Sequence, residues 1–176
     1  MALHLRKRKV MSNANAALTV FNTPLEIAAA VRQVQVSGCG TNGISVAWRD
    51  QPTSGVTGYY RDRNQMKYWG DLDSLWNEIF EILSGWAVFS IPDIGNVLVV
   101  GPLANWIANA LANATIFGSM SAIGMGLYSI GISRNGIRLC EDVLKDGKCL
   151  LLLNGTAQEV KKAKQIIDEF GGQPAT

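Results

Sequence analysis

LWNEIFEILSGWAVFSIPDIGNVLVVGPLANWIANALANATIFGSMSAIGMGLYSIGI, residues 75–132, is the stretch that decides how the rest of the chain is read. Between Ile82 and Ser133 a single formal charge, Asp93, stands in 52 residues. Two apolar runs, Leu75 to Ile91 and Val97 to Ile132, flank the break Ile91-Pro92-Asp93-Ile94-Gly95. Roughly 20 apolar residues cross a bilayer as a helix, and the second run is longer than that. Pro92 and Pro102 carry no N–H donor, and each turns the residue before it away from helical geometry. The pattern predicts an apolar helical hairpin, with helices near residues 72–91 and 103–131 and a break across 91–101.

Inside the second predicted helix, Ala110, Ala114, Gly118, Ala122 and Gly126 recur at every fourth position. That spacing stacks small side chains on one face, where a second backbone can approach closely. The five residues are the expected helix-packing or oligomer contact. Asn105, Asn109 and Asn113 form a polar stripe at the same spacing. In lipid such amides seek partners on another helix; at an interface they face water.

The flanks read as α/β. Ala17 to Phe21 is a short strand, and Thr23-Pro24-Leu25-Glu26 has the spacing of a capping box with proline at the first helical position. Ile27, Val31 and Val34 give the helix an apolar face, Ser37-Gly38 stops it, and Ile44 to Trp48 alternates as a strand. Beyond the apolar stretch, Ser133 caps a helix reaching about Lys145, Cys149 to Leu153 has the length of a buried strand, and Thr156 to Glu159 is a second capping box. Either flank alone is marginal for a core, so the two are expected to share one sheet. The fold expected is α/β of the α+β kind: a small ferredoxin-like head, with Cys149–Leu153 central and helices on one face, interrupted by the hairpin. Its parts are a basic arm (1–16), the first half of the head (17–50), a connector (51–71), the hairpin (72–132), the second half of the head (133–172) and a tail (173–176).

The connector mixes aromatics with basic residues, and Val56 to Tyr60 has the makings of a strand. Tyr68 and Trp69 suit a membrane-interface belt, a loop packed on the sheet edge, or the stacking of single-stranded bases. Arg6, Lys7, Arg8 and Lys9 form a basic run that suits anionic lipid, or a solvated arm. A net charge of +2 is too small to imply nucleic acid as a partner.

Nothing in the sequence assembles a reaction. His4, the one histidine, lies in the basic arm. Cys39, Cys140 and Cys149 lack metal-type spacing, and an odd count without an export signal reads as free thiols in a reducing compartment. The basic run leads into the polar Met11 to Asn15 rather than an apolar core, unlike a signal peptide. Glu78 and Glu81 share a helix face without further ligands and read as a solvated surface. No enzyme activity, metal or cofactor is expected.

Gly58-Tyr59-Tyr60, Met66-Lys67-Tyr68-Trp69-Gly70, Ile91-Pro92-Asp93-Ile94-Gly95, Gly101-Pro102-Leu103 and Gly124 to Ile132 appear in that order. With the flanking α/β units, the sequence resembles, over about residues 17–170, a family of bacterial general stress proteins, often described as heat-induced or uncharacterised membrane proteins. That family has small or apolar residues where this chain has Asn105, Asn109 and Asn113. The resemblance implies a stress-linked, membrane-associated, non-enzymatic role and supplies no catalytic residues. The expectation is a homo-oligomer on the cytoplasmic side of a bacterial inner membrane. The alternative is a soluble cytoplasmic ring, cage or filament with the apolar helices buried between subunits.

Overall fold

Cys149-Leu150-Leu151-Leu152-Leu153 can be apolar without interruption only where both faces of a strand are covered. The computed structural model, which describes residues 9–12, 15–49, 58–62, 65–69, 79–83, 85–112 and 120–171, puts it in that position. In chain order the strands are β1 (Lys9–Ser12), β2 (Ala16–Phe21), β3 (Ile44–Arg49), β4 (Gly58–Asp62), β5 (Gln65–Trp69), β6 (Trp86–Ile91), β7 (Gly95–Val100) and β8 (Cys149–Asn154). Six of them form one sheet in the order β1-β2-β8-β3-β7-β6, with every neighbouring pair antiparallel. β4 and β5 form a separate two-stranded ladder.

Side chains alternate across β8. Cys149, Leu151 and Leu153 enter one core, while Leu150 and Leu152 enter the other. The first core is closed by α1 (Pro24–Val36), α5 (Ala157–Gly171) and the helical residues 79–82, through Ile27, Val31, Val34, Val160, Ile167, Ile79 and Leu83. The second is closed by α2 (Pro102–Ala112), α3 (Ala122–Ser129) and α4 (Arg134–Lys145), through Leu103, Ile107, Ile123, Leu127, Ile137 and Leu144. The molecule is therefore three layers, with helices on both faces of an antiparallel sheet.

Several expectations hold at this level. β2 and β3 each pair antiparallel with β8, so they run parallel to one another with β8 between them. Both flanks thus contribute to one sheet, and Cys149–Asn154 is interior. The capping box at α1 forms as spaced: Glu26 N–H donates to the Thr23 hydroxyl at 3.3 Å, and Thr23 N–H donates to the Glu26 carboxylate at 3.1 Å. Thr156 and Glu159 make the same exchange ahead of α5, at 3.2 and 3.0 Å. Ser133 accepts from Gly136 N–H and starts α4.

The hairpin expectation does not hold. Residues 86–91 and 95–100 are strands, not helix and break, and they pair with each other as an antiparallel β-hairpin. Val88, Phe89, Val97, Val99 and Val100 are β-branched or aromatic, and they fit a pleated surface better than a helix. The connecting turn is built from the residues that would have broken a helix. Pro92 sits at its second position, Asp93 adopts φ 70°, and Ile94 N–H donates to Ile91 C=O at 3.1 Å. Proline followed by a positive φ is the signature of a type II turn. The second run divides as well: Ser121, in extended geometry, caps a new helix by accepting from Gly124 N–H at 3.0 Å. No helix among the described residues is long and apolar enough to cross a membrane. The ferredoxin-like head with a helical insertion is therefore replaced by a single sheet that absorbs β6 and β7, with helices on two faces instead of one. Residues 72–78, the start of the first expected helix, lie outside the described residues.

Candidate functional site

The uncharged span from Ile82 to Ser133 supplies β6, β7, α2 and α3. β7 is interior and needs no charge. The other three elements stand at the margin: β6 ends the sheet, and α2 and α3 pack against β6 and against each other.

The Gly101-Pro102 pair anchors α2 to the sheet. Gly101 has φ 111°, and a Cβ there would collide with the Ile44 carbonyl. The close approach lets the wholly buried Ser45 hydroxyl accept from Leu103 N–H at 2.9 Å. That satisfies one of the donors every helix leaves unpaired in its first turn; Pro102 itself has none to satisfy. Gly101 N–H donates to Gly85 C=O at 2.8 Å, tying the start of β6 to the start of α2.

The expected small-residue stripe is not one face of one helix. Ala110 is half-buried on α2; Ala122, half-buried, and Gly126, buried, lie on α3; Ala114 and Gly118 fall outside the described residues. Gly126 does admit a neighbouring helix, but the neighbour is α2 of the same chain. A Cβ on Gly126 would collide with Ile107 Cγ1 and stand 3.2 Å from Leu103 Cδ1. Asn105 and Asn109 are exposed on α2, and Asn113 lies outside the described residues. Of the expected membrane contacts, Arg6, Lys7 and Arg8 are also outside them, Lys9 opens β1, and Tyr68 and Trp69 end β5.

The outward surface of these elements carries apolar, amide and hydroxyl side chains and no charge. Val88 on β6 (42% exposed), Leu111 on α2 (43%) and Tyr128 on α3 (44%) are three of the large apolar side chains left in solvent. Sequence reasoning singled out none of them. The signal was the absence of charge over a span too long to be all interior.

A cleft of about 410 Å³ opens between the β6–β7 turn and α4, lined among others by Asp93, Met120, Ser121, Glu141, Asp142 and Lys145. No group of three or more His, Cys, Asp or Glu side chains that could hold a metal occurs among the described residues. Cys140 and Cys149 are buried on opposite faces of the sheet. Burial, assisted by the nearby charge of Glu141, pushes the Cys140 thiol up to about 12; burial, with Glu26, does the same to Cys149. Neither is a thiolate nucleophile near neutral pH. Comparison of the chain with family models, with curated proteins and with solved structures gave no match.

Proposed function

We propose that this protein is a non-enzymatic structural protein that works by associating with copies of itself through the uncharged side of its sheet. The observation that carries the reading is where the uncharged span lies. A span with one charge in 52 residues would ordinarily be core or membrane. Here it makes an edge strand and two outer helices that leave Val88, Leu111 and Tyr128 exposed. Interfaces between subunits are depleted of charge at their centres, and exposed apolar patches mark contact sites. The stress-linked role implied by the resemblance is part of the same proposal, since assembly needs no substrate. The contact differs from the glycine stripe first expected, because Gly126 already serves a contact within the chain.

A second reading is favoured by one observation. The basic run Arg6 to Lys9 leads straight into β1, at the sheet margin opposite β6. A cluster of that kind binds anionic headgroups at a bilayer surface without crossing it. It would place the assembly on the cytoplasmic face of the inner membrane.

Light scattering on the eluted protein tests the main reading: a mass that is a defined multiple of the 19.0 kDa chain is expected, and a 19.0 kDa particle at all concentrations contradicts it. Flotation with phosphatidylglycerol vesicles tests the second. Binding lost on neutralising Arg6, Lys7, Arg8 and Lys9 supports it, and equal recovery with neutral phosphatidylcholine vesicles counts against it.

A further inference from the structure

Because every neighbouring pair in the sheet is antiparallel, the starts of β1, β8 and β7 lie at one end of it with the end of β6. Two features of opposite charge belong to that end. One is the basic run Arg6-Lys7-Arg8-Lys9, whose last residue opens β1. The other is the cleft of about 410 Å³ between the β6–β7 turn and α4, a size that suits a bound group. Ile91 and Met120 give the cleft an apolar side, and its charged lining is Asp93, Glu141, Asp142 and Lys145. Three carboxylates thus stand against one ammonium, and none of the four is in an ion pair among the described residues.

We infer that the cleft receives the basic run of a second copy of this chain, so that each arm ties its own subunit to a neighbour. The inference rests on the self-association reading and adds a second, charged contact to the uncharged one. The occupant follows from charge and from reach. Four consecutive cations complement a cleft with carboxylates in excess. A guanidinium meets a carboxylate through two N–H donors, and the methylene stems of Arg and Lys cover apolar surface of the kind Met120 offers. Reach decides which copy supplies the arm. Lys9 pairs with Thr19, Thr19 with Leu151, Leu151 with Val46 and Val46 with Val100, so Lys9 is level with the end of β7. The turn before Gly95 lies four strands across from it, about 19 Å, and five residues further along, about 17 Å. Arg6, three residues ahead of Lys9, extends at most about 10 Å from it. The run therefore falls short of Asp93 in its own subunit, and an arm from a neighbouring subunit has no such limit.

Charge exchange and a cross-link test the contact on the full chain. Glu141→Lys with Asp142→Lys turns the cleft basic, and Arg6→Glu, Lys7→Glu and Arg8→Glu turn the arm acidic. Each set alone should weaken self-association by about ten-fold or more, read by light scattering over a dilution series, with circular dichroism unchanged. The two sets in one chain should restore it, a rescue that a merely structural role for Glu141 or Asp142 does not produce. Lys161→Glu with Lys162→Glu, exposed on α5 across the sheet, should leave association as it was. Chains carrying Lys7→Cys mixed with chains carrying Asp142→Cys, both with Cys39→Ser, should form a covalent dimer with a short thiol cross-linker. A wild-type particle of 19.0 kDa at all concentrations overturns the self-association reading and this inference with it. An oligomer indifferent to both sets, or one weakened equally by the α5 control, leaves that reading standing and overturns the arm contact. So does an arm variant that loses flotation with phosphatidylglycerol vesicles while its mass stays that of wild type, because the arm then serves lipid. A chain carrying both cysteines that closes only on itself, with no dimer from the mixture, overturns the assignment to a second copy.

Discussion

Replacing Gly126 with leucine asks whether α2 and α3 are as close as they stand. The Cβ alone would collide with Ile107 Cγ1, sit 3.2 Å from Leu103 Cδ1 and come within 3.3 Å of the Ile107 backbone nitrogen. Ile107 is wholly buried and cannot swing into solvent. Overpacking at such a site costs about 1–3 kcal/mol, and a leucine puts three further carbons beyond the Cβ, which argues for the upper end. Against that, leucine in a helix interior regains somewhat under 1 kcal/mol over glycine. The net is a loss of about 2 kcal/mol, or roughly 4–8 °C in melting temperature for a chain of this length. Ala108→Leu on the exposed face of α2 is the control, expected within about 0.5 kcal/mol of wild type. Chemical denaturation measures both. Pairing Gly126→Leu with Ile107→Ala should recover part of the loss, because the truncation opens the space the leucine needs. A Gly126→Leu protein as stable as wild type, or one whose loss simply adds to that of Ile107→Ala, would refute the close contact.

Other outcomes follow from the same structure. Ser45→Ala leaves the Leu103 N–H without its acceptor in a buried position and should cost about 1–3 kcal/mol by denaturant melting, whereas Ser90→Ala on the exposed edge should cost little. Cys39, part-exposed, should react with a thiol reagent in the folded protein, while Cys140 and Cys149 should react only on unfolding. Burial raises the folded-state values of those two thiols from 9.0 to about 12, so the folded chain holds their protons more tightly than the unfolded chain. Their effect is absent below pH 9, and stability should fall as pH climbs from 9 toward 12, less steeply in a Cys140→Ala protein. Glu159 has a lowered value because it accepts from the backbone and side chain of Thr156. The α5 cap should therefore weaken as pH falls through its folded-state value, and Thr156→Ala, which removes the hydroxyl but keeps the backbone N–H that lowers the value most, should reduce that acid sensitivity without abolishing it.

The parts of the fold readable in the sequence were those governed by local chemistry. Thr23-Pro24-Leu25-Glu26, Ser133 and Thr156-Ala157-Gln158-Glu159 announce helix starts because the capping hydroxyl of each accepts from the backbone N–H three residues on. Cys149 to Leu153 announces a buried strand by its unbroken apolarity. Residues 86–100 were misread because length and hydropathy carry no period. Val97 to Val100 is as apolar as a membrane span, but it is buried by neighbouring strands and by helices on both faces. β-branching at Val88, Val97, Val99 and Val100, with a Pro-Asp turn between, was the available signal for a hairpin. Among the described residues of the fourfold spacing from Ala110 to Gly126, Gly126 makes a close helix contact, and Ser121 starts a separate helix that carries Ala122 and Gly126. The exposed surface was invisible for another reason: which uncharged residues face solvent depends on which strand ends the sheet, and strand order is not local information.

Amide exchange followed over a range of protein concentration tests self-association through the uncharged side most directly. As copies join, exchange at residues 86–91 should slow markedly, while residues 149–154, interior at every concentration, and 24–36, on the opposite face from α2 and α3, should not change. Exchange at 86–91 that is independent of concentration in a protein that nevertheless assembles would contradict the account.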